Sequence, residues 1–279
     1  MLLSLFDGGE SFDSCRQPAL VLGHPGHELR VFGWMSYHRP RVYVITDGSG
    51  RTATSRLSST ARVLADLRAE TDAMCGLASD AEMYELIMDG NIAWFLAVLD
   101  RMVESFVDNG TDLVAGDAME GFNPTHDLCR VIVNGAVVAA SRLTGRTIAN
   151  YEFRLTEWEQ ETDQSGLHDS RCVHVRLDDD LLRKKVAAAE CYVELKDEVS
   201  KALTLRGQEY FRIECLSKVC QPFPHFDASW KPYYEVWGER RVAEGAYKSV
   251  IRYGEHIMPI ARAIRDRATG GNRQAVAAG

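Results

Sequence analysis

The chain has 279 residues, 46% of them hydrophobic and 26% charged, with a net charge of −8. This is the balance of a folded globular protein and excludes a disordered chain. The acidic excess, with a pI near 5.5 and no basic run, weighs against a nucleic-acid or anionic-membrane partner. No apolar stretch approaches the roughly 18 residues that a spanning helix needs, so no membrane insertion is expected. Residues 1–10 lack the positive start and apolar core of a signal peptide, and a cytoplasmic location is the expectation. The seven cysteines form an odd set with no CxxC pair and read as reduced, mostly buried thiols.

After an N-terminal segment, 1–18, the first strand is expected at Ala19–Gly23. A helix follows around Leu29–Tyr37, then a second strand at Arg41–Thr46 that runs into the turn Asp47-Gly48-Ser49-Gly50. Arg56–Glu70 carries helical spacing at Leu57, Ala61, Leu64 and Leu67. Ser79-Asp80-Ala81-Glu82 has the form of a capping box and predicts one long helix to about Val107, stopped by Asn109-Gly110. Asp112–Ala115 is a short strand, Leu128–Leu143 a buried helix, Leu177–Leu203 a Lys/Ala/Glu-rich helix and Glu209–Leu216 a late strand, with a polar loop at Glu161–Arg171.

Strands alternating with helices predict a Rossmann-like α/β domain, its mostly parallel sheet covered by helices on both faces. The expected organisation is one domain, 19–220, with an aromatic-rich C-terminal extension, 221–267, packed on it, and a frayed tail, 268–279. Lys231–Arg241 is dense in aromatic and charged residues, a composition that suits a sugar platform, a dimer interface or a lid equally.

The most informative residues lie in Gly23-His24-Pro25-Gly26-His27-Glu28, at the carboxyl end of the first strand. Open α/β sheets place ligands there. Two imidazoles so spaced can share a divalent ion if a third ligand arrives, and His126 follows the later strand. Histidine donors suit zinc, and also iron, cobalt or nickel. Arg51 and Arg56 could clamp an anionic substrate, although a surface salt bridge is an equal expectation for Arg56. His225, in a Pro- and Phe-rich loop, could wall a pocket.

Taken in order, these segments resemble the PIG-L/LmbE family of zinc-dependent de-N-acetylases. The family's His-Pro-Asp-Asp-Glu corresponds to His24-Pro25-Gly26-His27-Glu28, and its Thr-x-Gly turn to Thr46-Asp47-Gly48. Its His-x-Asp-His corresponds to Asn123-Pro124-Thr125-His126, with only the last position kept, and its Lys-Lys-x-Ala to Lys184-Lys185-Val186-Ala187. The resemblance spans Ala19 to Leu216. It implies a Rossmann-like fold, a Zn(2+) cofactor on His24, His27 and His126, and hydrolysis of an N-acylated amino sugar, sugar nucleotide or glycosylated small molecule. It also implies a bacterial polysaccharide or natural-product context.

The departures fall on the chemistry. The family's general base becomes Gly26, and the histidine thought to hold the oxyanion or protonate the leaving group becomes Asn123. An asparagine can donate to an oxyanion but cannot shuttle a proton. Glu28, Asp47, Asp117, Glu120 and Asp127 are the candidate substitutes for the base, with Asp47 and Glu120 preferred; Asp127 could instead orient an imidazole. The alternatives are a metal-containing transferase or other carbohydrate-modifying enzyme that has lost the base, and a non-catalytic metal-binding member. The expected partner is a small-molecule or sugar substrate, and a homo-oligomer stays open.

Overall fold

The computed structural model describes residues 5–6, 15–156, 172–223, 227 and 229–271. The loop expected at 161–171, His225 and residues 272–279 of the expected tail lie outside the described residues, while the start of that tail, Ala268 and Thr269, is helical and Ala268 is buried. Among the described residues, eight strands form one sheet: β1 (Leu5–Phe6), β2 (Pro18–Leu22), β3 (Arg41–Thr46), β4 (Glu70–Ala78), β5 (Leu113–Asp117), β6 (Ala149–Phe153), β7 (Cys172–Arg176) and β8 (Ile213–Lys218). Their order is β1-β7-β8-β6-β5-β2-β3-β4. The five strands from β6 to β4 pair in parallel, and β8, β7 and β1 extend that sheet antiparallel. The architecture is the expected α/β class, a mostly parallel sheet within a single domain.

Nine helices are described: α1 (Phe32–His38), α2 (Leu57–Leu67), α3 (Asp80–Met88), α4 (Ile92–Asp108), α5 (Pro124–Thr144), α6 (Asp179–Glu190), α7 (Lys196–Arg206), α8 (Tyr233–Ala243) and α9 (Met258–Thr269). The central strands are aliphatic without polar alternation because both faces are covered. In β2, Ala19 and Val21 join the core beneath α4, α5 and α9, while Leu20 and Leu22 join the one beneath α1, α2 and α6. Val42/Val44 and Tyr43/Ile45 of β3 divide in the same way.

The single helix expected from Ser79 to Val107 is two. The capping box at Ser79 and Glu82 is formed. Gly90 then takes φ 58°, and Asn91 caps α4 by accepting from the Trp94 N–H, so the chain turns and restarts. The helix expected over Leu177–Leu203 is likewise broken between α6 and α7 by the 3-10 turn Val193–Leu195. Lys185, from the Lys-Lys pair, is buried against Glu214 of β8 (Nζ to Oε1, 2.9 Å). That carboxylate also accepts from the Gly33 and Trp34 N–H groups at the start of α1. The motif therefore ties α6 and β8 to the helix that follows the first histidine loop.

The chain builds β2, β3 and β4 outward in one direction, then crosses to β5 and β6 on the other side of β2. The carboxyl ends of β2 and β5 thus flank the point where strand order reverses, the ordinary place for a site in such sheets.

Candidate functional site

The loop after β2 carries His24 and His27, and the loop after β5 leads to His126 in the first turn of α5. All three rings meet. Centroids are 5.4 Å apart for His24–His27, 4.9 Å for His24–His126 and 4.7 Å for His27–His126, each pair edge to face. Gly23 permits the approach: a Cβ there would lie 3.0 Å from Asp117 Oδ2 and 3.5 Å from His126 Cδ2.

Two carboxylates fix two of the rings. His24 Nδ1 lies 2.7 Å from Thr46 Oγ1 and 3.0 Å from Asp80 Oδ1, and the other oxygen of Asp80 accepts from the Gly50 N–H. His27 Nδ1 lies 2.8 Å from Asp117 Oδ2, which also accepts from the Gly23 N–H at 2.7 Å. Burial opposes the charge on Asp80, yet hydrogen bonds from His24 and Thr46 and the charge of His24 outweigh it. Its carboxyl is held well below the usual range. His126 is pushed the other way, well below an ordinary imidazole, by burial first and then by the charges of His27 and His24; it is a neutral ring at neutral pH.

Sequence reasoning assigns neither Asp80 nor Asp117 to the histidines. Asp117 stands only among the candidate bases, although its place at the end of β5 is a usable signal. Asp80 reads solely as part of a helix cap. Asp127, a candidate base with orientation of an imidazole as its alternative, accepts from the Glu120 and Gly121 N–H groups through Oδ1 and braces the loop before α5. Burial raises its carboxyl to about 7.

Three of the other expected residues, Glu120, Asn123 and Asp47, are engaged by neighbouring backbone N–H groups. Glu120 has both oxygens occupied by the Leu155 and Thr156 N–H groups and the Thr156 hydroxyl, so its carboxylate clamps the exit of β6. Asn123 caps α5, Oδ1 accepting from the Thr125 N–H. Asp47 directly follows the threonine that touches His24, and one of its oxygens accepts from the Ser49 N–H. The Arg56 side chain lies over the Gly48–Gly50 turn: a point 3.5 Å from its terminal nitrogen is 3.9 Å from Asp80 Oδ2. The Arg51 side chain and His225 lie outside what is described.

Gly26, at the position of the family's base, has φ 103°, and a Cβ on it would lie 2.6 Å from Leu195 Cδ1 and 3.8 Å from the Tyr192 ring. The segment before α7 fills that space. Glu28, fully buried, accepts from the Gly26 N–H through one oxygen and holds the same loop from below.

Whether the cluster suits a metal turns on its donors. Among the described residues, no group of three His, Cys, Asp or Glu side chains is placed to hold a metal ion. The donor set nevertheless fits an ion in kind. His24 Nε2 is buried with no hydrogen-bond partner, His126 is neutral, and carboxylates on the Nδ1 atoms are the customary support of metal-binding imidazoles.

No protein-family model and no curated protein matches the chain. Among solved structures it is similar to the A40926 pseudoaglycone deacetylase Dbv21, with 13% identity over 74% of this chain and 97% of that one and a TM-score of 0.48. It is also similar to a triple mutant of a deacetylase of the teicoplanin pathway, with 13% identity, 72% and 97% coverage and a TM-score of 0.46. A third is the zinc-inhibited form of teicoplanin deacetylase Orf2, with 11% identity, 74% and 99% coverage and a TM-score of 0.41. Likenesses of this strength carry no argument about activity. Among the described residues, no helix is long and apolar enough to cross a membrane.

Proposed function

We propose that the chain is a zinc-dependent amide hydrolase that removes an acyl group from an N-acylated amino sugar, sugar nucleotide or glycosylated small molecule. The observation that carries the reading is the His24 ring, whose Nδ1 is held by Asp80 and Thr46 while its buried Nε2 is left without a partner beside two further imidazoles. A buried polar atom costs stability unless something satisfies it, and a cation would.

His24, His27 and His126 would hold the ion, which when bound supplies a Lewis acid for the acyl oxygen and lowers the pKa of water toward neutrality. The chain's own groups do the rest. Asp80 and Asp117 keep the two imidazoles from swinging away. Asn123, its oxygen already engaged in the helix cap, offers its amide N–H groups to the developing oxyanion at the positive end of α5. Asp47 takes the proton, because Gly26 has no side chain and Glu120 is occupied by its clamp. Arg56 gives a phosphate or carboxylate on the substrate a partner beside the Gly48–Gly50 turn.

Elemental analysis is the test, with His24→Ala and His126→Ala alongside the parent. The expected result is about one zinc per chain, lost in both variants, with acetate released from an N-acetyl sugar by the parent only. Asp47→Asn keeps the zinc and loses about 10²–10⁴-fold in kcat. A parent that contains no metal and takes up no added zinc overturns the proposal. The Leu195 methyl over Gly26 favours a second reading, a metal-containing transferase or other carbohydrate-modifying enzyme that has dispensed with the hydrolytic base. That reading predicts no acyl release until an acceptor is added.

A further inference from the structure

Two cysteines meet on the antiparallel side of the sheet. In the pairing of β7 with β8, Cys172 stands opposite Ser217 and His174 opposite Cys215. Side chains two apart along a strand share a face, so these four residues lie together on one face of the ribbon. The alternate residues Val173, Val175 and Leu216 point the other way, into the core beneath α1 and α6. All four positions of the cysteine face are half-buried, neither sealed in the core nor free in solvent.

The two thiols are in contact. Cys172 Sγ lies 3.3 Å from Ser217 Oγ, and the Cys215 side chain is hydrogen-bonded to those of both Cys172 and Ser217. Diagonal neighbours on such a ribbon have Cα atoms about 7–8 Å apart, at the edge of what a disulfide spans. Here the side chains already lean together across that diagonal.

Their surroundings give the two sulfurs different parts. Burial first, and then the charge and hydrogen bond of Cys172, hold the Cys215 thiol well above its ordinary range, against the opposing pull of Ser217 and the Arg154 cation. Cys215 is therefore the poorer first nucleophile. Once the Cys172 sulfur is bonded to another, it carries no charge and no proton. What then faces Cys215 is the Ser217 hydroxyl, the Arg154 cation and the His174 ring, which burial keeps neutral at neutral pH.

We infer that Cys172 and Cys215 form an oxidisable dithiol, in which Cys172 attacks a small disulfide such as oxidised glutathione and Cys215 resolves the product into a Cys172–Cys215 bridge. In the first step the Cys172 thiolate bonds to one sulfur of the glutathione disulfide, whose S–S bond breaks to release one glutathione thiolate. In the second the Cys215 thiolate attacks the Cys172 sulfur and expels the other. The two cysteines are oxidised by two electrons, the glutathione disulfide is reduced by two, and the two thiol protons end on two glutathione molecules. The bridge closes a loop that carries α6, α7 and the Val193–Leu195 turn, whose Leu195 lies over Gly26. The inference stands independently of the hydrolase reading.

The test incubates the full-length protein with glutathione disulfide, quenches it with acid, alkylates the remaining thiols and maps unreduced peptides by mass spectrometry. The expected result is a peptide pair joined through Cys172 and Cys215 and carrying no glutathione. Excess reduced glutathione separates it again, because a bridge across a diagonal is strained and labile. The exposed Cys191 and Cys220 take up glutathione and report access of the reagent. Cys215→Ser accumulates glutathione on Cys172, whereas Cys172→Ser takes up at least about tenfold less on Cys215. A circular dichroism melt confirms that each serine variant is folded. A parent in which Cys191 and Cys220 are modified while Cys172 and Cys215 stay free overturns the inference, and so does glutathione that persists on Cys172 of the parent. Equal uptake by Cys215 in Cys172→Ser overturns the order of attack.

Discussion

Replacing Gly26 tests why this chain has no carboxylate where the resembling family keeps its base. At φ 103° an L-residue incurs the left-handed penalty, about 1–2 kcal/mol. A Cβ would also meet Leu195 Cδ1 at 2.6 Å. That atom ends a flexible side chain, so relief by an off-rotamer shift adds roughly 1 kcal/mol. Gly26→Ala is therefore expected to lose about 2–3 kcal/mol, and Gly26→Asp at least as much, a fall in Tm of roughly 5–10 °C. Thermal unfolding followed by circular dichroism measures it. In a Leu195→Ala background the contact disappears and about 1 kcal/mol of the loss returns, while the φ penalty stays. Gly26→Asp gains no acyl-releasing activity, because Leu195 and Tyr192 close the space around the new side chain. A Gly26→Ala protein that melts within about 1 °C of the parent refutes the reasoning.

Two further predictions concern buried charge. Lys185→Met strands the Glu214 carboxylate in the interior and is expected to cost about 3–5 kcal/mol, whereas Lys185→Met with Glu214→Gln recovers most of it; urea titration of the single and double variants decides. Asp127 is raised from 3.8 to about 7 in the folded protein, so between those values the folded state binds more protons than the unfolded one and stability falls as pH rises. Asp127→Asn removes that fall, by at most about 4 kcal/mol, while keeping an oxygen for the Glu120 and Gly121 N–H groups. The variant should match or trail the parent at pH 5 and exceed its Tm at pH 8; melts that shift in parallel at both pH values would exclude the effect.

What was legible in the sequence had local physical causes. Arg41–Thr46 reads as a strand because its aliphatic run is buried on both faces and ends at a glycine turn, and β3 has those bounds. The cap at Ser79 reads correctly because its hydrogen bonds close within four residues. By contrast, β4 went unread. Glu-Thr-Asp-Ala-Met-Cys-Gly-Leu-Ala has no clean alternation, since the strand lies at the sheet edge, is half exposed and slips register twice against β3. Strands β6 and β7 were also missed, and the meeting of Cys172–Arg176 with Ile213–Lys218 is a long-range pairing with no nearby turn to announce it. At the candidate site the three histidines were visible as types at strand ends, but their carboxylate partners were not. Asp80 is 56 positions from His24 and Asp117 is 90 from His27, so only the order of strands in the sheet brings them together.

The C-terminal segment is anchored at both ends and exposed between them. At one end Tyr234 is bonded to the loop before α5, and at the other Ile260 and Ile264 of α9 are fully buried against α4 and α5. Between these anchors α8 carries its rings on a face that no core residue depends on. Substitutions at those exposed positions leave the packing behind the histidines untouched. The constraint falls elsewhere: losing α9 would strip the cover from α4 and α5, so a chain shortened to end before the extension should fail as a fold.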